Sequence, residues 1–359
     1  MKAPSMQQIA EAAGVSRMAV SLALRNSPKI SPATSQRIRG VAEQMGYRPN
    51  PLVSALMTQL RHAKKVTRPA VVAYVTAHPT ENGWRQPGPF LSFFEGAQRQ
   101  AEALGYSLEE WWLRAPGFTE RRVSEILYAR NIHGLVVAPL PPGGGTLGLE
   151  WTHFASATIG HSVTNPCMHR ASNDQYSTIG LAIRELTKLG YRRIGLAIPA
   201  ESDDRVKHNW SAGMLVYQQR IPLTDRVPPL LSTGGFSEAF SEWFRMHRPE
   251  AVLSLSDQVL RVLNGLNLAV PRDVGFAHLA LCEGERQWAG VDQKSELVGA
   301  AAIDLVDGQL RRNERGVPRF PRTLLIPGEW RPGPTVRDLG RVQRLELSSL
   351  QEVGGSIVG

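Results

Sequence analysis

The side chains best suited to chemistry lie in the stretch GVSRMAVSLALRN, residues 14–26. Five of them fall on one face if the stretch is helical: Arg17, Met18, Ser21, Leu22 and Arg25. A guanidinium donates paired hydrogen bonds to phosphate or to the two acceptors of guanine, and apolar side chains contact the thymine methyl group. This face therefore has the chemistry of a surface that reads nucleic acid.

The distribution of charge supports this interpretation. The chain of 359 residues has a net charge of +9, and residues 1–68 contain eleven Lys or Arg against two acidic residues. The remainder is balanced, with 30 basic and 30 acidic residues. A basic segment on a neutral body is typical of a protein that binds a polyanion.

Capping signals predict three short helices around this face. Ser5 and Gln8 form a capping box for a first helix over 6–13, and Gly14 permits the tight turn that follows. Ser16 then caps a second helix that ends near Leu24. The two helices predict a helix-turn-helix, whose second helix enters the major groove of DNA.

The third helix begins at Ser31, with Pro32 at the first helical position, where its missing N–H costs nothing. Its apolar residues share one face and pack on those of the first two helices; they are Ile38, Val41, Ala42 and Met45. After it, Asn50 caps a short apolar helix that needs a partner to be stable.

The quoted segments MQQIAEAAGVSRMAVSLALRN, ISPATSQRIRGVAEQMGYRPN and PLVSALM resemble the headpiece and hinge helix of the lactose repressor (LacI/GalR) family of bacterial transcription regulators. The resemblance implies a headpiece over 1–49 and a hinge helix and linker over 50–68. It implies that Arg17, Met18 and Leu22 read bases and that Leu56 wedges into the minor groove. Arg37 and Arg39 are the candidates for phosphate contact. The DNA-binding residues are therefore predicted to be Ser16, Arg17, Met18, Ser21, Leu22, Arg25, Asn50 and Leu56.

The rest of the chain alternates short apolar runs with helical patterns. The runs are AVVAYV, GLVVAP, RIGLAI and AVLSLS, and the helical patterns between them include FFEGAQRQAEALGY and YSTIGLAIRELTKLGY. This alternation predicts parallel sheets covered by helices, and the repeated LGY indicates two similarly built lobes. The segment resembles the two-lobed, type I periplasmic-binding-protein-like domain of the same family, here over 69–338, followed by a tail over 339–359.

The resemblance implies a small-molecule effector in the cleft between the lobes, near the strand ends. Family members hold sugars with an arginine and an aspartate, whose positions here carry Trp210 and Ala277, and Ser256 replaces an asparagine. We therefore expect simple hexoses to be poor effectors. The predicted effector contacts are Trp210, Asp257, Gln293 and His278, with Trp210 either stacking on a ligand or filling the core.

Other signals are weak or absent from the sequence. Cys167 and Cys282 have no metal-ligand spacing, and no apolar run reaches the length of a membrane span. The motif GGGTLG at 143–148 follows two prolines and opens no predicted helix, so a dinucleotide loop is not expected. His161 and His169 lack partners at fixed spacing, so we predict no metal, no cofactor and no enzymatic activity.

The sequence thus predicts an α/β protein with a three-helix helix-turn-helix headpiece, a hinge helix and a two-lobed domain with parallel sheets. We expect a cytoplasmic homodimer that binds a pseudo-palindromic double-stranded DNA operator, usually as a repressor, under an effector of unknown identity. The alternatives are a solute-binding protein or a cleft enzyme acting on small carbohydrates. Either would keep its main activity after deletion of residues 1–60.

Overall fold

The computed structural model describes residues 4–24, 29–47, 70–85, 88–282 and 287–340. The helices in this part of the chain are α1 Met6–Ala13, α2 Arg17–Leu24, α3 Pro32–Gln44, α4 Pro89–Ala103, α5 Glu120–Ala129, α6 Gln175–Lys188, α7 Ala200–Asp204, α8 Asn209–Gln218, α9 Phe236–His247, α10 Gln258–Gly265 and α11 Ser295–Arg312. Short 3₁₀ turns lie at Trp151–His153 and Leu223–Asp225.

The strands in the described ranges are two to seven residues long. They are β1 Ala70–Thr76, β2 Tyr106–Trp112, β3 Gly134–Val137, β4 Gly145–Thr146, β5 Ala155–Ile159, β6 Val163–Asn165, β7 His169–Asn173, β8 Ile194–Pro199, β9 Leu230–Ser232, β10 Ala251–Ser254, β11 Gly275–Leu281, β12 Ala289–Asp292, β13 Thr323–Ile326 and β14 Glu329–Arg331.

The chain divides into two compact units and passes between them three times, after Ser172, after Lys294 and after Ile326. Unit 1 comprises the chain up to Ser172 together with Ser295–Ile326, and unit 2 comprises Asn173–Lys294 together with the chain from Pro327 onward. Helices α1 to α3, which belong to unit 1, have a small core of their own. Its buried residues are Ile9, Ala10, Ala13, Val20, Ala23, Ile38 and Ala42.

The main sheet of unit 1 has the strand order β13-β7-β5-β3-β1-β2. Strands β2, β1, β3, β5 and β7 run parallel, and Val72, Gly134 and Ala155 lie side by side in register. Helices α4 and α11 pack against each other and against one face of this sheet. The parallel register places the amino ends of β1, β3 and β5 at one edge.

The sheet of unit 2 has the strand order β14-β12-β11-β10-β8-β9. Five strands are parallel and β14 is an antiparallel edge strand. The carboxyl ends of β8, β10, β11 and β12 therefore meet at one edge, which is where ligands bind in sheets of this kind.

The predicted elements are confirmed where the sequence signals were strong. Strands β1, β3, β8 and β10 lie on the four predicted runs, and α4 and α6 both end before an LGY segment. In each segment the glycine adopts a left-handed conformation, with φ of 84° at Gly105 and 90° at Gly190, which ends the helix and returns the chain to the sheet. No helix in the described ranges is long and apolar enough to span a membrane.

Candidate DNA interface and effector site

The start of α1 and the turn between α1 and α2 are built as the sequence predicts. The Ser5 side chain accepts from the backbone N–H of Gln8, and the Gln8 side chain accepts from the backbone N–H of Ser5. Gly14 has φ 61°, and its N–H donates to the carbonyl oxygens of Ala10 and Glu11. This left-handed turn closes α1 and directs the chain into α2.

The start of α2 is fixed by Ser16, whose hydroxyl oxygen accepts from the backbone N–H of Ala19 at 3.2 Å. Val20 and Ala23 are fully buried in the headpiece core, which sets the rotation of the helix. Arg17 is exposed, and 68% of the Met18 surface is accessible. The helix therefore presents a guanidinium and an apolar side chain to solvent at its amino-terminal end.

The remaining predicted DNA-binding residues fall into two groups. Ser21 and Leu22 are half-buried on α2, so they lie at the border of the exposed face. Arg25, Asn50 and Leu56 lie outside the described residues.

Arg39 has a role that the sequence does not indicate. Its Nε and Nη2 atoms donate to the carbonyl oxygen of Ala23 at 3.3 and 3.1 Å, and the Ser35 hydroxyl reaches the same oxygen at 3.5 Å. Arg39 is nevertheless exposed, and these bonds use only its Nε and Nη2 atoms, so its phosphate contact stays a prediction. Arg37 remains exposed on α3.

In unit 2, Asp257 follows the carboxyl end of β10 and Gln293 follows that of β12, with β11 between these two strands. Asp257 is exposed at the start of α10 and lies 3.6 Å from Arg261. Gln293 directly follows β12, and its amide nitrogen donates to the carbonyl oxygen of Leu279 at 2.9 Å. The side-chain oxygen of Ser256, beside Asp257, accepts from the backbone N–H of Gln258 at 3.2 Å.

His278 lies within β11, level with Ser254 at the end of β10. It is 8% exposed and stacks on Trp288, with 5.3 Å between ring centroids. Its Nδ1 accepts from the backbone N–H of Ala280 at 3.2 Å. These contacts hold the ring in one orientation and leave little of its surface accessible.

Trp210 is a core residue of unit 2, with 2% of its surface accessible. Ala277 is fully buried in the same cluster. The stacking role considered for Trp210 is therefore corrected: α8 turns this ring into the core and leaves Leu215 and Val216 partly exposed instead.

Two buried carboxylates were missed by the sequence reasoning. Asp203 is fully buried, and its carboxylate accepts from the Ser211 backbone N–H at 3.1 Å and hydroxyl at 2.6 Å, thereby capping α8. The N-cap residue of that helix, His208, makes no side-chain cap bond. No capping box marks this arrangement in the sequence.

The second is Asp292, which ends β12 and is 7% exposed. It forms ion pairs with Arg331 of β14 and with Lys294, the latter at 3.3 Å. Lys294 also pairs with Glu329, and this hydrogen bond, followed by the charge of Asp292, raises the pKa of Lys294. Asp292 and Arg331 are 39 residues apart, so no local pattern predicts this ion pair.

The other weak signals have structural explanations. His169 is buried in β7, and its Nδ1 accepts from the backbone N–H of Arg322 at 2.9 Å, while His161 contacts Arg170 at 3.3 Å. In GGGTLG, all three consecutive glycines have positive φ, and the segment continues into β4 rather than into a helix. No three His, Cys, Asp or Glu side chains in the described part of the chain are grouped to hold a metal ion.

Two family models match the chain. Residues 5–50 match "Bacterial regulatory proteins, lacI family", and residues 183–336 match "Periplasmic binding protein-like domain". Together they cover more than half of the sequence. The first matched region contains α1 to α3, and the second matched region contains most of unit 2.

Curated relatives extend over most of the chain. The HTH-type transcriptional regulator PtxS of Pseudomonas plecoglossicida is 27% identical over 324 residues, covering 86% of this chain and 90% of the relative. The HTH-type transcriptional regulator CelR of Thermobifida fusca is 24% identical over 325 residues, covering 82% of this chain and 88% of the relative. Both relatives are named as regulators, not as enzymes.

Solved structures show the same fold. A complex of the transcriptional regulator CelR with cellobiose has a TM-score of 0.52 at 19% identity and covers 92% of this chain and 99% of that one. A lac repressor dimer bound to operator and the anti-inducer ONPF has a TM-score of 0.54 at 17% identity, covering 94% and 100%. The chain belongs to the lacI family of bacterial regulatory proteins, as a DNA-binding transcriptional regulator that joins a helix-turn-helix domain to a periplasmic binding protein-like domain.

Proposed function

We propose that this regulator binds a pseudo-palindromic operator as a homodimer and represses transcription from it. The observation that carries the proposal is the exposed pair Arg17 and Met18 on a helix whose rotation is fixed by the Ser16 cap and the buried Val20. A guanidinium at the amino-terminal end of a recognition helix reaches base edges in the major groove. Each half-site then matches one protomer, so two-fold symmetry of the protein appears as a palindrome in the DNA.

The hinge is the second part of the proposal. Asn50 and Leu56 lie outside the described residues. We propose that Asn50 caps a short hinge helix and that Leu56 of this helix enters the minor groove and unstacks the central base step. Leu56→Ala is then expected to lose most specific affinity and most DNA bending while the protein still folds and dimerises. Bending equal to that of wild type would contradict the wedge.

Selection from random DNA by the full chain is the main test. We expect recovery of a palindromic site, dimeric protein on the DNA, and a slope of log affinity against log salt of roughly −5 to −9, from about 6 to 10 phosphate contacts. A slope near −1 or recovery of unrelated sequences would refute the proposal. Deletion of residues 1–60 must abolish binding, because it removes the exposed face of α2.

We also propose that a small molecule controls DNA binding and contacts the carboxyl edge of the unit 2 sheet. Exposed Asp257 and half-buried Gln293 follow strands that end there, and His278 presents a small, fixed ring surface near that edge. One solved structure with this fold is a complex of the transcriptional regulator CelR with cellobiose, which supports a carbohydrate-sized ligand for the fold. A ligand that binds one conformation better than the other shifts the population between a DNA-competent and an incompetent state.

The location follows from the proposed activity. A regulator that acts on operator DNA works where the chromosome lies, so we place this protein in the cytoplasm. Fractionation of cells that express the full chain tests this: it should be recovered with the cytoplasmic fraction and be released from nucleoid DNA by salt.

A further inference from the structure

A loop of unit 1 concentrates arginine outside the DNA-binding domain. The loop of residues 313–322, here named the arginine loop, has the sequence NERGVPRFPR and contains three arginines and one acid. The acid, Glu314, is paired with Arg312 of α11 through bonds of 2.7 and 2.9 Å. The loop has a net charge of +2, three arginines against one acid, whereas residues 69–359 as a whole contain 30 basic and 30 acidic residues.

Two of these arginines are exposed and form no ion pair in the described ranges. Arg319 and Arg322 are exposed, and neither lies within ion-pair distance of an acid in the described part of the chain. Arg319 lies over the ring of Phe320, 5.2 Å from its centroid, and 76% of the Phe320 surface is accessible. Exposed, planar guanidinium groups suit phosphate, which accepts two parallel hydrogen bonds from one arginine.

The backbone of the loop is held at both ends. The N–H of Gly316 donates to the carbonyl oxygen of Phe154 at 2.9 Å, and the N–H of Arg170 donates to the carbonyl oxygen of Arg322 at 2.9 Å. Pro318 and Pro321 flank Arg319 and Phe320 and restrict the backbone between these anchors. Less conformational entropy is then lost when the arginines bind a partner.

The loop lies at the edge of the sheet from which the headpiece is tethered. Phe154 directly precedes β5 and Arg170 is the second residue of β7, while β1 begins at Ala70, where the chain arrives from the headpiece. The parallel register places these amino ends at one edge, and three strand spacings amount to about 15 Å. The arginine loop is thus near the point of attachment of a DNA-binding domain.

We propose that Arg319 and Arg322 bind backbone phosphates of the DNA that flanks the operator. The inference rests on the proposed function, since the headpiece must first hold the DNA. Residues 48–69 then limit the separation of the duplex from this edge to at most about 80 Å even at full extension. Such tethering raises the effective concentration of phosphate at the loop to about the millimolar range.

The test compares two duplexes that contain the same selected operator. One ends at the operator, and the other is extended by arbitrary sequence on both sides. Affinity is measured over a series of salt concentrations for wild type and for the double variant Arg319→Gln/Arg322→Gln. Arg220→Gln/Arg245→Gln is the matched control, because it removes the same charge from two exposed arginines of unit 2.

We expect wild type and control to bind the extended duplex more tightly than the short one and with a steeper salt slope. The double variant should lose this gain, with a slope smaller by about 3 to 4 on the extended duplex, at about 0.9 per contact for two arginines in each of two protomers. Its affinity for the short duplex and its thermal unfolding should equal those of wild type.

Three results would overturn the proposal. They are equal affinities of wild type for the two duplexes, an unchanged gain in the double variant, and the same loss in the control. If the loop instead bound an acidic protein, wild type would bind the two duplexes with equal affinity. Failure of wild type to select any operator would instead refute the proposed function, so the two failures are distinguishable.

Discussion

The guanidinium of Arg39 caps the carbonyl oxygen of Ala23, so that α3 holds the last turn of α2. The last carbonyl groups of a helix have no partner within it, and a cationic donor there also complements the helix dipole. The helix that presents Arg17 is therefore fixed at its start by Ser16 and at its end by a side chain from the next helix. The exposed face of α2 depends on both contacts.

Arg39→Ala should loosen α2 without removing a base contact. We expect a loss of about 1 kcal/mol in the local stability of the headpiece, the usual size for one such hydrogen bond. Hydrogen exchange of the amides of residues 17–24 in the full chain measures it. Arg37→Ala is the matched control, and it should leave exchange unchanged while weakening all DNA sequences alike. Equal exchange in the two variants would contradict the capping role.

Arg17→Ala should relax the preference of the protein at one G·C pair in each half-site. Paired donation from arginine to O6 and N7 of guanine is worth about 1 to 3 kcal/mol of discrimination, and no other exposed donor on the described part of α2 is an arginine. Repeating the DNA selection with the variant measures the change. Flanking preferences for A·T pairs, which we assign to Met18 and Leu22, should persist. A G·C preference that survives in the variant would show that another residue reads it.

Gly96→Ala and Gly299→Ala should each destabilise unit 1. A Cβ at Gly96 of α4 would lie 1.9 Å from the carbonyl oxygen of Glu296, and one at Gly299 of α11 would lie 1.9 Å from that of Phe93. Backbone atoms cannot move aside cheaply, so we expect a loss of at least about 1 to 3 kcal/mol in the free energy of unfolding. Gly265→Ala in α10 is the control, since its Cβ would meet nothing within 4 Å. Denaturant unfolding compares them, and equal midpoints would contradict the close packing.

Acid should destabilise unit 1 through His169. Burial, followed by the charge of Arg322, lowers the pKa of His169 from 6.5, with Glu314 acting in the opposite direction and Arg312 in the same direction as Arg322. The unfolded chain then binds a proton near pH 6.5 that the folded chain does not yet bind, so stability falls as the pH drops below about 6.5. Protonation of Nδ1 would also remove the acceptor for the Arg322 N–H.

His169→Gln keeps an acceptor that does not titrate, and it should reduce the loss of stability between pH 7.5 and 5.5. Part of the loss should remain, because burial also lowers the pKa of His133, with Arg315 adding to the effect. Denaturant unfolding at the two pH values is the measurement. A variant that loses as much stability as wild type would exclude His169 as a source.

Simple hexoses should bind poorly. Trp210 and Ala277, at two positions where family members hold sugars, are buried in the core, and the Ser256 hydroxyl already accepts from the N–H of Gln258. None of these three residues is a planar arginine or a carboxylate that could hold adjacent sugar hydroxyls. Calorimetric titration of the full chain with glucose and galactose is the check. Micromolar binding of either would contradict the prediction.

Local signals were enough to predict the headpiece helices and the alternating strands and helices of the body. Ser5, Ser16, Ser31 and the two LGY segments act on backbone groups within a few residues, so their effect is encoded next to them in the chain. The Arg39 contact with Ala23 joins residues 16 apart and depends on how two helices pack. No periodic pattern contains that information.

The candidate effector residues were harder to predict for a different reason. Helix α8 has apolar residues on both sides, so the sequence alone does not decide whether Trp210 or Leu215 faces the core. Asp203 shows the same limit, since it caps a helix that begins six residues later, across a turn in which Lys207 and His208 have positive φ. Such a turn is stabilised by the fold around it.

Unit 1 is made of two separate segments of the chain, so its parts leave the ribosome at different times. Every buried residue of the headpiece core lies before residue 48, so this domain can fold early in synthesis. The main sheet of unit 1 must wait for α11 and β13, which are made after the larger segment of unit 2, Asn173–Lys294. A chain stopped at Lys294 would carry an intact recognition helix on a body that lacks the helix packed against α4. Premature termination in that region would therefore yield a fragment with a complete headpiece core and an incomplete unit 1.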